Sequence, residues 1–181
     1  MRISRPLVML LVLLLTASLI AQDNAAKEKF NAGVKAKQAN NLTEAEKEFQ
    51  AAVAAYPQYK EAWLELGSVR FELNKGALSE EAFQKAIALD PTLMPAYYNL
   101  GMVQLKAKKY TLAEASLKKS LELAKNDPKT MKALGQLYLL QKKRCARTAL
   151  RTRSWAAVLS PNGVSARVWM SRQRCLMPPP A

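Results

Sequence analysis

Histidine is absent from the 181 residues of this chain. That removes the commonest general base, the commonest metal ligand and every Ser–His or Cys–His nucleophile pair. Cysteine is nearly absent too. Cys145 and Cys175 stand alone without ligand partners, so a thiolate metal site has no support. The two can pair in an oxidising compartment, but nothing in the sequence requires it. There is no Gly-x4-Gly-Lys-Ser/Thr phosphate loop and no Gly-x-Gly-x2-Gly turn. Carboxylates cluster at Glu44/Glu46/Glu48 and Glu80-Glu81, beside Lys47 and Lys85 on helix-period segments. That arrangement reads as solvated helix faces with i,i+4 ion pairs rather than acid–base machinery. The expectation is a chain that is not an enzyme and takes no cofactor and no metal.

Acid is missing from the last part of the chain. The final acidic residue is Asp127, lysine stops at Lys143, and seven of the ten arginines follow it. The net charge of +14 is therefore uneven. Gln22–Lys143 carries 19 basic and 14 acidic residues, whereas Arg144–Ala181 holds seven arginines and no acid. Nucleic acid is not an expected partner, because an argument from charge would rest on the tail alone. The tail has two readings. In one, Arg144–Leu159 is a closing helix slipped by one position. In the other, the segment is the product of a disrupted reading frame, which the loss of acid, the exchange of Lys for Arg and the Met177–Ala181 proline run favour.

The other end is apolar. Arg2 and Arg5 precede an uninterrupted apolar run, Leu7–Leu15, followed by small residues up to Ala21. These are the three parts of a secretory signal. Pro6–Ala21 is shorter than the roughly 20 residues of a full membrane span, which favours cleavage after Ala21 over an uncleaved anchor. The expectation is an exported protein, periplasmic or secreted, that meets the membrane only transiently through residues 1–21.

Glycine is scarce, six in all, and four of them, Gly33, Gly67, Gly101 and Gly135, fall at a constant spacing of 34 residues. Each sits in an apolar, helix-period stretch, where glycine costs about 1 kcal/mol relative to alanine. A recurring cost needs a common cause, and close approach of a neighbouring helix supplies one. Leu66, Leu100 and Leu134 precede their glycines, with Trp63, Tyr97 and Met131 at four before. Pro57 and Pro91 stand ten before Gly67 and Gly101, with Lys125 at the matching place before Gly135. A small-large-small stripe follows in each unit, Ala45/Phe49/Ala52, Ser79/Phe83/Ala86 and Ala113/Leu117/Ser120, and Trp63, Leu66, Phe49 and Phe83 read as core between helices.

This pattern resembles the tetratricopeptide repeat (TPR) family, whose signature is Trp-x2-Leu-Gly-x2-Tyr, then Ala-x3-Phe, then Pro. The match is fullest in Lys60–Leu93; at the Tyr position Arg70 and Gln104 depart from it and Tyr138 keeps it. The resemblance implies an all-α solenoid of helical hairpins, a right-handed superhelix of about three and a half repeats over residues 26–143. Its repeats are 26–59, 60–93, 94–127 and a partial 128–143, followed by the basic tail 144–181.

Within that frame the helices are expected at Ala26–Gln38, Thr43–Tyr56, Lys60–Leu73, Ser79–Leu89, Pro95–Ala107, Thr111–Lys125 and Lys129–Leu140, with Asn40-Asn41 as the first turn. Thr43 with Glu46, and Thr111 with Glu114, read as capping boxes. The cap also accounts for Thr43 in the formal glycosylation sequon Asn41-Leu42-Thr43.

In the family, the first helix of each hairpin lines a concave groove in which peptides bind. The resemblance therefore implies groove residues Lys27, Phe30, Asn31 and Val34 in the first unit, then Glu61, Leu64, Ser68 and Phe71. Pro95, Tyr98, Asn99, Met102 and Leu105 follow in the third, with Lys129, Lys132 and Gln136 in the fourth. Asn31 and Asn99 share a repeat position at which Asn can bond a ligand backbone or make a local helix contact. Some relatives clamp a terminal carboxylate with a Lys/Asn/Arg set. Phe30 and Val34 occupy the matching positions here, which speaks against that specialisation.

Apolar groups flanked by cations suit a protein or peptide partner with hydrophobic anchors and some acidity. Two other readings stand beside this scaffold: an envelope- or polyanion-associated protein acting through its Arg-rich tail, and self-association through an uncapped apolar end near Leu134, Leu137 and Leu140.

Overall fold

A computed structural model describes residues 23–159, with side chains to Arg147. The expected signal segment, and the tail beyond Leu159 with Cys175 and the closing prolines, lie outside the described residues. Seven α-helices make up the described part: α1 (residues 23–38), α2 (Leu42–Ala55), α3 (Lys60–Glu72), α4 (Gly76–Leu89), α5 (Met94–Lys106), α6 (Tyr110–Leu123) and α7 (Pro128–Leu159). The chain divides into two units, one ending at Asp127 and the other beginning at Pro128.

In the first unit a tight turn joins the two helices of each hairpin. It needs one residue of positive φ, and that residue recurs every 34 positions: Asn40 (φ 58°), Asn74 (60°) and Lys108 (61°). Asn tolerates the left-handed region better than most side chains, whereas Lys108 enters it at a cost. The backbone closes behind each of them with a six-to-one hydrogen bond, from Asn41 to Ala36, Lys75 to Arg70 and Lys109 to Gln104. The second helix starts at once, which is why α4 begins at Gly76 rather than at the expected Ser79.

The caps differ from expectation. Asn41 is the N-cap of α2 and its side chain accepts from the Glu44 N–H, while Thr43 is exposed inside the helix. Lys109 precedes α6 and Thr111 is likewise exposed within it, so neither expected capping box forms. The left-handed turn sets each N-cap two residues earlier than the threonines suggest.

The glycines do what their period implies in three places. An ideal Cβ on Gly33 would lie 2.8 Å from the Phe49 ring, on Gly67 2.6 Å from Phe83, and on Gly101 2.7 Å from Leu117. Each is the large member of the stripe on the following helix, which lies against the glycine. Ser79 adds a hydroxyl bond to the Gly67 carbonyl at 2.7 Å. Successive hairpins then share a core: Ala45, Phe49, Ala52 and Val53 of α2 pack with Ala62, Leu66 and Val69 of α3. Phe83 of α4 meets Leu100 and Val103 of α5 in the same way. Burying such side chains stabilises each joint by about 1.5–3 kcal/mol per large residue.

The second unit departs from the repeat. α7 is one helix of 32 residues that runs past the expected end at Leu140, and Arg144–Leu159, a closing helix in one of the two readings of the tail, continues it instead of folding back. The physical reason lies in the frame: Arg147 and Arg151 stand where Ala113 and Leu117 stand one repeat earlier. Without a small-large-small stripe no apolar face draws the chain back. Among the described residues, Gly135 accordingly has nothing within 4 Å of its ideal Cβ. Leu134 and Leu137 of the expected apolar end are buried, whereas Leu140 is exposed.

Candidate partner-binding face

The first helix of each hairpin in the first unit, α1, α3 and α5, presents the same positions at the 34-residue spacing. Phe30, Leu64 and Tyr98 form one row, Val34, Ser68 and Met102 a second, and Asn31, Glu65 and Asn99 a third. Every member of the first two rows is half-buried. They form neither the core nor a solvated charged face.

The individual environments differ. Phe30 lies between two rings, 5.0 Å from Tyr59 and 5.5 Å from Phe49, and with Val34 it packs onto the α2–α3 core. Leu64 and Phe71 pack onto the Phe83–Leu100–Val103 cluster. The Ser68 hydroxyl donates to the Leu64 carbonyl at 3.1 Å, a local bond within its own helix. Lys27 is exposed and paired with Asp23 at 2.6 Å, and Glu61 and Pro95 are exposed as well. Tyr98, Asn99, Met102 and Leu105 are half-buried on α5. Lys129, Lys132 and Gln136 are exposed on α7, in the second unit.

Three further groups belong to this face and were not among the expected ones. Lys37 bridges from α1 to Glu65 of α3 at 2.7 Å. Lys106 of α5 stands 4.9 Å above the Phe71 ring and donates to the Asn74 side chain. Phe71 and Lys106, with Asn74, Gly76, Val103 and Ala107, line a shallow hollow of about 150 Å³. A signal for them was present: Lys37, Phe71 and Leu105 share one repeat position, and Glu65 is the counterpart of Asn31 and Asn99.

Behind the face runs a polar seam that also corrects the sequence reading. Glu46 is not a solvated carboxylate paired along its own helix. It is 9% exposed and accepts from Arg70 (3.2 Å), 24 residues on, and from Lys75, 29 residues on. Glu80 repeats the arrangement with Gln104 (3.3 Å) and Lys109 (2.7 Å). The residues that break the family's Tyr position are therefore the partners of a carboxylate on the preceding hairpin.

Burial pushes the Glu46 carboxyl up, but the bonds and charges of Lys75 and Arg70 outweigh it and hold the group below its ordinary value. The hydrogen bond from Lys109 is the main cause that lowers Glu80, against partial burial. Asp90, just beyond α4, is drawn down to about 2 by the hydrogen bond from Lys60 and by the hydroxyl and N–H of Thr92.

Among the described residues, no group of three or more Cys, Asp or Glu stands where a metal ion could be held. No helix among them is long and apolar enough to cross a membrane.

Comparison with known proteins accords with this geometry. A family model described as the cilia and flagella-associated protein 70 middle TPR-like domain matches residues 10–158. The chain belongs to that tetratricopeptide-repeat family. Among curated proteins, none matches by sequence. Among solved structures, the first TPR of Spaghetti (RPAP3), bound to the HSP90 peptide SRMEEVD, is similar with a TM-score of 0.63. Its identity is 23%, over 64% of this chain and 91% of that one. The Arabidopsis OM64 TPR domain gives 0.63 at 18% identity, over 64% and 96%. MamA gives 0.62 at 23% identity, over 68% and 72%. At these identities the likeness is one of fold.

Proposed function

We propose that this chain is a non-catalytic scaffold that holds a peptide or protein segment along the exposed face of α1, α3 and α5. The observation that carries the reading is the pair of rows Phe30/Leu64/Tyr98 and Val34/Ser68/Met102, half-buried at one repeat spacing. Apolar and aromatic groups held half out of water by a rigid helix array suit anchoring of extended or helical segments at little ordering cost. The half-buried amide of Asn99 beside them carries both a donor and an acceptor for a ligand backbone. The peptide-bound Spaghetti structure supports the reading by fold.

The test begins with peptides selected by display against the full chain. Tyr98→Ala with Met102→Ala is expected to weaken the selected peptides by more than about 2 kcal/mol, roughly 30-fold. Unchanged affinity would remove the α5 face from the site.

We further propose that the scaffold works outside the cytosol, on the strength of the tripartite segment 1–21. The intact mass of the endogenous protein, recovered separately from exported and cytosolic fractions, tests this. A mass beginning at Gln22 in the exported fraction is expected, and one retaining Met1 would end the proposal.

A further inference from the structure

The second unit repeats half of a joint made three times in the first. In α1, α3 and α5 the repeat glycine receives Phe49, Phe83 or Leu117 from the helix that follows. In α7 the equivalent Gly135 faces open space among the described residues. Met131 and Leu139 lie one turn to either side of it on the same helix face, 52% and 62% exposed. That face lies well away from the buried side of α7, which carries Thr130, Ala133, Leu134 and Leu137. The result is an apolar strip with a notch at its centre, shaped like the ones that receive a large side chain elsewhere in the chain.

Charge decides what fits. α7 contains no acidic residue, and Lys132, Lys142 and Lys143 are exposed along and beside the strip. A second copy of α7 would bring like charges together. Residues 160–181 carry three arginines and no acid, so they are no better matched. We propose that the Met131–Gly135–Leu139 face of α7 docks an acidic amphipathic helix of a partner protein, whose stripe of small, large and small residues sets its large apolar side chain over Gly135. This mode is independent of the α1–α3–α5 face, since it uses residues of α7 alone.

The chain itself supplies a probe of this chemistry. Gly76–Asp90 carries the stripe Ser79/Phe83/Ala86 and has Glu80, Glu81 and Asp90 against Lys85. A capped, fluorescently labelled peptide of this sequence is titrated with the full-length chain by anisotropy at low salt. Saturable binding is expected. Gly135→Leu in the chain, or Phe83→Ala in the peptide, should weaken it at least about tenfold. Lys132→Glu with Lys142→Glu should weaken it further, while Tyr98→Ala with Met102→Ala should leave it unchanged. Gly135 is exposed, so its replacement does not endanger the fold.

Absence of saturable binding up to about 1 mM chain would overturn the proposal. So would binding indifferent to both Gly135→Leu and the peptide's Phe83→Ala. Binding that appears only after removal of residues 160–181 would assign the face to the chain's own tail. A dimer in light scattering that Gly135→Leu dissolves would assign it to a second copy. Either result would overturn the partner reading as well.

Discussion

Gly67 and Gly135 occupy one repeat position, yet alanine should stabilise the chain only at Gly135. At Gly135 a methyl group meets none of the described residues, so the substitution gains helix propensity, about 1 kcal/mol. At Gly67 the same gain applies, but the new Cβ lies 2.6, 2.8 and 2.9 Å from three atoms of the Phe83 ring. Ordinary contact begins near 3.4 Å, so the ring must retreat by about 0.8 Å. Phe83 is 1% exposed and sits against Leu100 and Val103, which leaves it no free direction. Overpacking of this kind costs about 1–3 kcal/mol. After the propensity gain, Gly67→Ala is left neutral to about 2 kcal/mol destabilising. The assay is urea unfolding of the full chain followed by far-UV circular dichroism, with midpoints compared at a common slope. Gly135→Ala should move the midpoint up, and Gly67→Ala should leave it in place or move it down. If both rose by the same amount, close helix approach would not be what glycine secures at this position.

Three further outcomes follow from the joints and turns. Glu46→Gln removes the charge facing Arg70 and Lys75, and should cost about 2–3 kcal/mol in the same urea experiment; adding Arg70→Met should recover most of that loss, and failure to recover it would dissolve the pairing argument. Asp90, Glu46 and Glu80 all titrate lower in the folded chain than their ordinary values. Their contribution is thus complete above the ordinary carboxylate range and is lost as pH falls from about 4 towards about 2. Thermal midpoints should be flat near neutrality and fall across that window, and Asp90→Asn should flatten part of the fall; an unchanged acid limb would contradict the assignment. Lys108→Gly relieves the left-handed residue of the third hairpin turn and should stabilise by about 0.5–1 kcal/mol, whereas a lower melting temperature would show that the lysine side chain holds the turn.

The repeat, its hairpins and the core assignments of Phe49, Phe83 and Leu66 were legible in sequence, because a fixed glycine period and a small-large-small stripe are statements about packing; Trp63, expected in the core with them, is only half-buried against it. The helix starts were less so. Thr43 and Thr111 look like caps, but the positive-φ residues at 40, 74 and 108 dictate where each second helix begins, and only two of those three are Asn. The polar seam was misread for a related reason. Local spacing suggested i,i+4 pairing for Glu46, while its true partners lie 24 and 29 residues away and become visible only when one hairpin is laid on the next. Of the face residues, the rows follow from the period alone. The bridges Lys37–Glu65 and Lys106–Phe71 depend on how adjacent hairpins are set, which no single repeat encodes.

The Glu46 and Glu80 joints have a consequence for how such a chain can lengthen. Copying Lys60–Leu93 in tandem would place a new Arg70 and a new Lys75 at 24 and 29 positions beyond the first Glu80, the separations that Glu46 already uses. The second Glu80 would keep Gln104 and Lys109. Each copy of these two seam carboxylates would still find its donors, and the copied Gly67 its Phe83. An insertion of any other length would strand a charge in the seam. The unit of growth is therefore written into the chain as a matter of charge matching as well as shape, so that duplication by whole repeats is tolerated and slippage within one is not.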